Sequence, residues 1–318
     1  MQNGFKKKFW YPLTRQYEQK YTISSLCNFW AVTRQAFYKE RLSIEKKKDK
    51  DTFLLSCVKD IRKRHSKLGT LKLRSELQTE IKRCGRGYGR NKLFDLLRNN
   101  DLLLKRRRRY SITTNSNHTF YKHTNQLAKA RITAPDQAWV SDITYLRTRH
   151  KFVYLSLVTD VYSRKIVGWN VDVSLAVEGA IGAMKMAIAN SSGTKDLIHH
   201  SDRGIQYCCY AYNELTKKHG IKMSMGQTGN CYDNAIAERV NGILKDEYLL
   251  DSEFVDIKQA VKAVKEAIYL YNYERPHWSL NLKKPADVYC CSTVRKSEER
   301  QFKRCGGGSL QRARQRIF

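Results

Sequence analysis

The chain has 318 residues, of which 60 are Lys or Arg and 30 are Asp or Glu, so its net charge at pH 7 is +30. An excess of this size strains a compact protein by self-repulsion unless an anionic partner neutralises it. Hydrophobic residues make up 41% of the sequence, which excludes a wholly disordered polybasic chain. No apolar run reaches about 18 residues, so no membrane span is predicted. The composition predicts a protein that binds nucleic acid.

The cysteines and the amino terminus predict the compartment. The nine cysteines, an odd number, stand mostly alone or as vicinal pairs, which is typical of reduced thiols rather than of a disulfide framework. The first residues are basic but lead into no apolar segment, so they do not form a secretory signal. We therefore expect a cytoplasmic protein.

The positive charge is unevenly distributed along the chain. Residues 1–130 carry 32 basic and 10 acidic side chains, residues 131–289 carry 20 and 18, and residues 290–318 carry 8 and 2. This distribution predicts a helical, basic DNA-binding region with a linker from about residue 110, a nearly neutral body, and a basic flexible tail. Because the body has no excess of positive charge, its acidic side chains can include a concentrated cluster.

The basic region has the periodicity of helices. Within residues 22–41 apolar residues recur near helical spacing, and Thr33 is placed to cap a second helix. A short helix-turn-helix there directs Arg34 and Lys39 to a DNA groove. A small helical hairpin with a solvated basic face explains the same residues, and both interpretations stay open.

Two further helices are predicted at residues 70–83 and 89–99, separated by a glycine-rich turn. Four consecutive arginines follow, and such a run more often clamps phosphates than reads bases, with a solvated charge run as the alternative. The polar stretch after them has no hydrophobic period, and we interpret it as the linker. The arginines are Arg106, Arg107, Arg108 and Arg109.

The hydrophobic period changes in the body. Short segments rich in β-branched and aromatic residues predict strands, with helical segments after the third strand. Three adjacent strands followed by alternating helices and strands predict an α/β mixed sheet with helices on its faces. The predicted strands are 137–147, 152–159, 165–171, 196–200 and 221–225, and the predicted helices are 176–190, 207–219, 233–250 and 256–272.

Three acidic residues occupy positions that this arrangement brings together. Asp142 lies within the first strand, Asp202 directly follows the fourth, and Glu238 lies near the start of a helix. Any one of them alone is more often a cap, turn or surface residue. Together they repel one another unless divalent cations lie between them, and carboxylate oxygens suit magnesium or manganese. Two such ions promote in-line phosphoryl displacement.

Five motifs of the body occur in a recognisable order. They are WVSDITYL, LVTDVYSRKIVGW, HHSDRGIQY, MSMGQTGNCYDNAIAERVNGILKDEY and YNYERPHWSL. With 35 residues between Asp202 and Glu238, this order resembles the integrase-type catalytic core of bacterial insertion-sequence transposases of the DDE type. The resemblance covers about residues 135–289. A weaker similarity extends to the helix-turn-helix segment that precedes the core, and Arg90 lies in the matching stretch.

The resemblance implies a ribonuclease H-like fold in which the three carboxylates bind two metal ions, magnesium or alternatively manganese. Helical spacing also places three further side chains on the stripe of Glu238, which predicts contacts with DNA beside the site, with a solvated helix face as the alternative. These side chains are Asn234, Asn241 and Lys245.

Other residues of the motifs receive supporting roles. His199 and His200 lie close to the second carboxylate and are predicted to order its loop or to contact phosphate. Asp160 matches an acidic position of the family motif, but we expect it to bond to the turn at Ser163 rather than to metal. For Arg275 two roles are open, contact with DNA and packing of the last helix, and we expect packing.

The resemblance implies metal-dependent cleavage of double-stranded DNA at the ends of a mobile element, followed by strand transfer. Joining two ends implies a homo-oligomer on DNA in the bacterial cytoplasm, at the nucleoid. The resemblance also implies the downstream product of a two-frame element, fused to or partnered by an upstream helix-turn-helix segment. Two alternatives stay open: a nuclease on the same fold that does not transfer strands, and a non-catalytic DNA-binding regulator derived from a transposase.

Overall fold

The computed structural model describes residues 2–85, 88–104, 121, 123–226 and 234–290. The chain forms two compact units, a front unit of Met1–Ile61 with Leu77–Leu103 and a core unit of Arg62–Glu76 with Leu104–Phe318. The four arginines, part of the predicted linker and nearly all of the predicted tail lie outside the described residues. The predicted domain boundaries stay a prediction. No described helix has the length and apolar character to cross a membrane.

The helices and strands are numbered in chain order. The helices are α1 (Gln2–Tyr17), α2 (Ile23–Trp30), α3 (Arg34–Arg64), α4 (Thr70–Glu76), α5 (Gln78–Arg83), α6 (Arg90–Asn99), α7 (Val177–Asn190), α8 (Ile205–Cys208), α9 (Tyr210–Lys218), α10 (Ala235–Glu247) and α11 (Ile257–Tyr273). The strands are β1 (Ala138–Thr148), β2 (Phe152–Asp160), β3 (Ile166–Asp172), β4 (Ile198–Ser201), β5 (Lys222–Met225) and β6 (Glu253–Phe254).

The front unit is helical in its described residues, as predicted. Thr33 caps α3 by accepting a hydrogen bond of 3.1 Å from the amide of Ala36, so the predicted cap is confirmed. Cys27 of α2 and Phe37 of α3 are both buried in its core. Helix α3 continues past the periodic segment 22–41 to Arg64, because residues 42–64 contain no Pro or Gly and are rich in good helix formers.

Two other features of the helical regions differ from expectation. The single helix predicted for residues 70–83 is two helices, α4 and α5, which separate at Leu77. Helix α1 lies in the region predicted to be helical but was not located individually, and it contains Pro12, which ordinarily argues against an interior helical position.

The core unit is built on a mixed sheet with the strand order β3-β2-β1-β4-β5, and β6 pairs with β1. Strands β1, β2 and β3 are antiparallel, whereas β4 and β5 run parallel to β1. All five predicted strands are present with shifted ends, and only the short β6 was not predicted. This is the mixed sheet that the sequence predicts, in the ribonuclease H-like arrangement that the resemblance implies.

Helices cover both faces of the sheet. One face packs against α7 and α9 through residues such as Trp139 and Tyr212, and the other packs against α10 and α11 through residues such as Leu155 and Tyr271. Strand β3 comes so close to α7 that a Cβ at Gly168 would collide with backbone of that helix. Burial on both faces explains why β2 is an almost continuous apolar run.

The pairing of β1 positions the site. Strand β4 pairs with β1 only over Ala138–Val140, although β1 continues to Thr148. Between Val140 and Arg147, where β6 takes over the pairing, the side of β1 that faced β4 is therefore open. Helix α10 packs beside this part of the strand.

Candidate active site

Asp142 lies on β1 just beyond the last residue that pairs with β4. Its Oδ1 accepts a hydrogen bond of 2.9 Å from the amide of Ile143, and its Oδ2 accepts one of 2.7 Å from Nδ2 of Asn241. Burial, and next the charge of Asp202, raise the pKa of Asp142 to about 7. The charge of Glu238 raises this pKa further, whereas the two hydrogen bonds lower it. A nearby cation would favour the ionised form of such a carboxylate.

The open side of β1 is capped by side chains of α10 and of β1 itself. Where β4 departs, the backbone groups of Ser141 and Ile143 on that side lose their strand partners. Nδ2 of Asn234 donates a hydrogen bond of 3.1 Å to the carbonyl of Ser141, and the Asp142 carboxylate accepts from Ile143. Sequence reasoning missed Ser141, because a serine in a strand carries no signal for this role.

Asp202 directly follows β4 and is half-buried. Its Oδ1 accepts a hydrogen bond of 3.0 Å from the amide of Gly204, which closes a tight turn before α8. A Cβ at position 204 would stand 3.0 Å from the same oxygen, so glycine lets the turn approach the carboxylate closely. The turn therefore orients Asp202 at the end of the strand.

Glu238 lies in the first turn of α10 and is exposed. Both Asp202 and Glu238 are close enough to raise the pKa of Asp142. Within the described part of the chain, no three His, Cys, Asp or Glu side chains converge on one point that could hold an ion. The structure thus brings the three carboxylates into electrostatic range without closing them around a single point.

The donor atoms fit a hard divalent cation. All three side chains offer carboxylate oxygens, which magnesium and manganese prefer. Oδ1 of Asn241, whose Nδ2 bonds to Asp142, is buried and has no hydrogen-bond partner among the described residues. A buried polar atom left without a partner costs about 1–3 kcal/mol. A cation or a water molecule beside Asp142 would satisfy it.

His199 and His200 lie on β4 and are fully buried. Nε2 of His199 lies 2.7 Å from the hydroxyl of Ser141, and Nδ1 of His200 lies 2.9 Å from that of Ser224. Burial, and then the charge of His200, lower the pKa of His199 to about 3, so its imidazole is neutral at pH 7. The two histidines connect β4 to β1 and β5; the role predicted for them at the site stays a prediction.

Three predicted DNA-contact residues lie in the front unit. Arg34 and Lys39 are exposed in the first turns of α3, and Arg90 is exposed at the start of α6. The positions of Arg106–Arg109 lie outside the described residues. Contact of these side chains with DNA stays a prediction.

The other three predicted DNA-contact residues belong to α10 and its N-cap, which is Asn234. Asn234 and Asn241 are buried, and their amide nitrogens bond to β1. Lys245 is half-buried, and its Nζ lies 4.3 Å from the ring centroid of Tyr145. Burial lowers the pKa of Lys245. Contact of the three with DNA stays a prediction.

The expectation for Asp160 is confirmed. Its Oδ2 accepts hydrogen bonds of 2.7 and 2.6 Å from the amide and the hydroxyl of Ser163. Its Oδ1 accepts a further bond of 2.9 Å from the amide of Asp136. Asp160 therefore fixes the turn after β2.

The packing role of Arg275 is also confirmed. The residue is buried, and its Nε and Nη2 donate hydrogen bonds of 2.7 and 2.8 Å to the two carboxylate oxygens of Glu247 on α10. Nζ of Lys72 on α4 lies 3.3 Å from the same carboxylate. The sequence carried no signal for Lys72, because it lies 175 residues from its partner.

Comparison with known proteins identifies the family. Two family models described as Integrase core domain match residues 132–231 and 219–285. The uncharacterized 31 kDa protein of insertion element IS600 from Shigella sonnei is 36% identical over 266 residues, 82% of this chain and 96% of that protein. Transposase InsF for insertion sequence IS3A from Escherichia coli (strain K12) is 28% identical over 253 residues, 77% of this chain and 85% of that protein.

Among solved structures, the HTLV-2 integrase catalytic core domain in complex with magnesium is 21% identical, with a TM-score of 0.40, over 50% of this chain and 99% of that chain. The family matches define an enzyme of the polynucleotidyl transferase type with an integrase core. The chain belongs to the bacterial insertion-sequence transposases of the DDE type, which carry out DNA transposition and integration. No comparison favours the nuclease or the regulator that the sequence left as alternatives.

Proposed function

We propose that Asp142, Asp202 and Glu238 bind two divalent cations, magnesium or alternatively manganese, and that this site cleaves DNA at the element ends and transfers the strand. The observation that carries the proposal is the environment of Asp142. Burial and two neighbouring carboxylates raise its pKa to about 7, so the protein alone stabilises its negative charge poorly. Cations beside it would supply the missing compensation.

Each side chain has a role in this proposal. Asp142, Asp202 and Glu238 would hold the two cations through their carboxylate oxygens. When bound, the cations acidify a water molecule and stabilise the negative charge on the leaving oxygen. Asn241 orients the Asp142 carboxylate, and Asn234 holds the start of α10 against β1, so Glu238 stays within reach.

The chemistry needs no energy cofactor. In cleavage, a water oxygen attacks phosphorus, the bond between phosphorus and the 3′ oxygen breaks, and that oxygen leaves as a 3′-hydroxyl. In strand transfer, this hydroxyl attacks a second phosphodiester, loses its proton to solvent and displaces the 3′ oxygen there. Strand transfer forms one phosphodiester bond for each one that it breaks, so its free-energy change is close to zero.

The substrate in this proposal is double-stranded DNA at the element ends and at the target. Phosphate contacts come from exposed cations of the front unit and from the arginine run, and such contacts dominate affinity for DNA. Because two ends must be joined, a homo-oligomer assembles on the DNA. An upstream-frame helix-turn-helix segment acts with the chain as a fusion or as a partner.

The test uses the full chain, end-sequence DNA and magnesium. Asp142→Asn, Asp202→Asn and Glu238→Gln should lose cleavage and joining but retain DNA binding, because each keeps its size and loses a metal-binding charge. Asp246→Asn is the matched control, since Asp246 is an exposed carboxylate on the same helix as Glu238. If one of these three variants, the triad variants, cleaves and joins like wild type, the assignment of that carboxylate to the metal site is wrong. Joined products distinguish strand transfer from hydrolysis.

A further inference from the structure

The turn between β1 and β2 carries a basic and aromatic surface. Arg147, Arg149 and Lys151 are exposed there. Tyr145 and Phe152 are 39% and 50% exposed, and their rings meet edge to face with centroids 5.3 Å apart. We call these five residues the hairpin patch.

The backbone of the turn is held in place. The amide of Thr148 donates a hydrogen bond of 3.0 Å to the carbonyl of Lys151, and the amide of Lys151 donates one of 3.2 Å to the hydroxyl of Thr148. The amide of Arg149 donates one of 3.0 Å to the carbonyl of Phe254 on β6. A fixed backbone reduces the entropy that the patch loses on binding a partner.

Lys245 connects the hairpin patch to the proposed active site. Its Nζ lies over the ring of Tyr145, and it follows Glu238 by seven residues, about 10 Å along α10. On β1, Arg147 follows Asp142 by five residues, about 17 Å at the rise of a strand. Cations thus extend from the carboxylates to the tip of the hairpin.

The charge of this surface stands out from its surroundings. Residues 131–289 carry 20 basic and 18 acidic side chains and so are nearly neutral. Three carboxylates adjoin the surface: Glu253 is the register partner of Arg147, and Asp251 and then Asp142 raise the pKa of Lys245 against the effect of burial. The three cations of the hairpin patch and Lys245 outnumber these three carboxylates, so the surface is positive.

We propose that the hairpin patch binds the phosphate backbone of the element-end duplex whose scissile phosphodiester lies at the three carboxylates. This proposal rests on the proposed function, which places that bond at Asp142. Arg147 lies five residues from Asp142, about 17 Å along β1, and Arg149 follows in the turn just after the strand ends. Phosphates of one DNA strand rise about 3.4 Å per base pair, so for a duplex that runs along β1 the contact falls about five base pairs from the scissile bond.

The first experiment measures binding of an end-sequence duplex to Arg147→Ala/Arg149→Ala/Lys151→Ala. Each lost phosphate contact changes the slope of log affinity against log salt by about 0.9. For three contacts, the ratio of wild-type to variant affinity should therefore fall about 40-fold between 50 and 200 mM salt. Equal salt slopes for the two proteins would overturn the proposal.

Two matched proteins separate phosphate contact from other effects. Lys185→Ala/Lys195→Ala/Lys218→Ala removes three exposed cations elsewhere in the core unit and should leave the slope at its wild-type value. Arg147→Lys/Arg149→Lys keeps the charge and should bind like wild type. An equal change of slope in the first protein, or loss of binding in the second, would contradict a local phosphate contact.

The second experiment locates the contact with duplexes shortened stepwise from either side of the scissile bond. Duplexes with fewer than about five base pairs on the contacted side should bind wild type and the triple alanine variant equally. A difference that persists on the shortest duplex would overturn the placement. These experiments measure binding without turnover, whereas the triad variants are tested by cleavage. Retained cleavage in the triad variants would therefore contradict the proposed function without changing the binding results for the hairpin patch.

Discussion

Nδ2 of Asn241 donates a hydrogen bond of 2.7 Å to Oδ2 of Asp142, so α10 and β1 are joined at one of the proposed metal-binding carboxylates. The bond favours the ionised carboxylate and opposes the effect of burial on the pKa of Asp142. Since Asn241 follows Glu238 by three residues on α10, the same contact fixes the spacing between two proposed ligands.

Asn241→Ala should slow cleavage by about ten- to a hundred-fold at saturating DNA and magnesium. A hydrogen bond to a charged group contributes about 1.5–3 kcal/mol, and its loss frees the carboxylate of Asp142 to rotate. Single-turnover cleavage measures the rate, and fluorescence anisotropy measures DNA affinity. Weaker DNA binding with an unchanged rate would instead assign Asn241 to DNA contact, the role that its helical position predicts.

Asn234→Asp should impair cleavage as much as Asn234→Ala, although aspartate is nearly isosteric with asparagine. Only the amide nitrogen can donate to the carbonyl of Ser141, and a carboxylate there repels that oxygen. The first turn of α10, with Glu238, should then open more often. Hydrogen exchange of its amides checks this and should be faster in both variants. Wild-type exchange and rate in Asn234→Asp would show that the bond to Ser141 does not position the helix.

His199 should make the core unit less stable in acid. Its pKa is lowered to about 3 in the folded protein, against about 6.5 unfolded, so the unfolded chain binds the proton first as pH falls. The stability it contributes is complete above pH 6.5 and is lost progressively towards pH 3. At pH 5 the loss is about 2 kcal/mol.

Urea unfolding at pH 7.5 and pH 5 measures this effect. His199→Asn should lose less stability than wild type over the same interval, by about 2 kcal/mol, because the titrating imidazole is gone. The variant starts from a lower stability, since the contact with Ser141 is weakened, so only the difference between the two pH values is diagnostic. The same pH dependence in both proteins would exclude His199 as the source.

The sheet could be predicted from the sequence because its strands and helices differ in hydrophobic period, and the motif order predicted the three carboxylates. The hydrogen-bond partners of Asp142 could not be predicted, because they depend on where β4 separates from β1. No local sequence pattern marks Val140 as the last residue of β1 that pairs with β4. The length of α3 was missed for a related reason. Its polar, charged residues 42–64 show no strong apolar stripe, and intrinsic propensity continues the helix.

The pair formed by Arg275 and Glu247 gives the last prediction. Burial alone would raise the pKa of Glu247, but the hydrogen bonds and charges of Arg275 and then Lys72 outweigh it and lower that pKa. Glu247→Gln should destabilise the core unit by about 3–5 kcal/mol, because it leaves the buried guanidinium of Arg275 without its countercharge.

Urea unfolding followed by tryptophan fluorescence measures this loss. Asp196→Asn is the control, since its ion pair with Lys222 is exposed on both sides and its removal should change nothing measurable. Glu247→Leu/Arg275→Met should recover much of the stability, because apolar side chains of similar volume need no countercharge. Lys72 does not prevent this recovery, since burial already lowers its pKa to about 8 and it can lose its proton. If Glu247→Gln were as stable as wild type, solvent rather than Glu247 would be compensating the charge of Arg275.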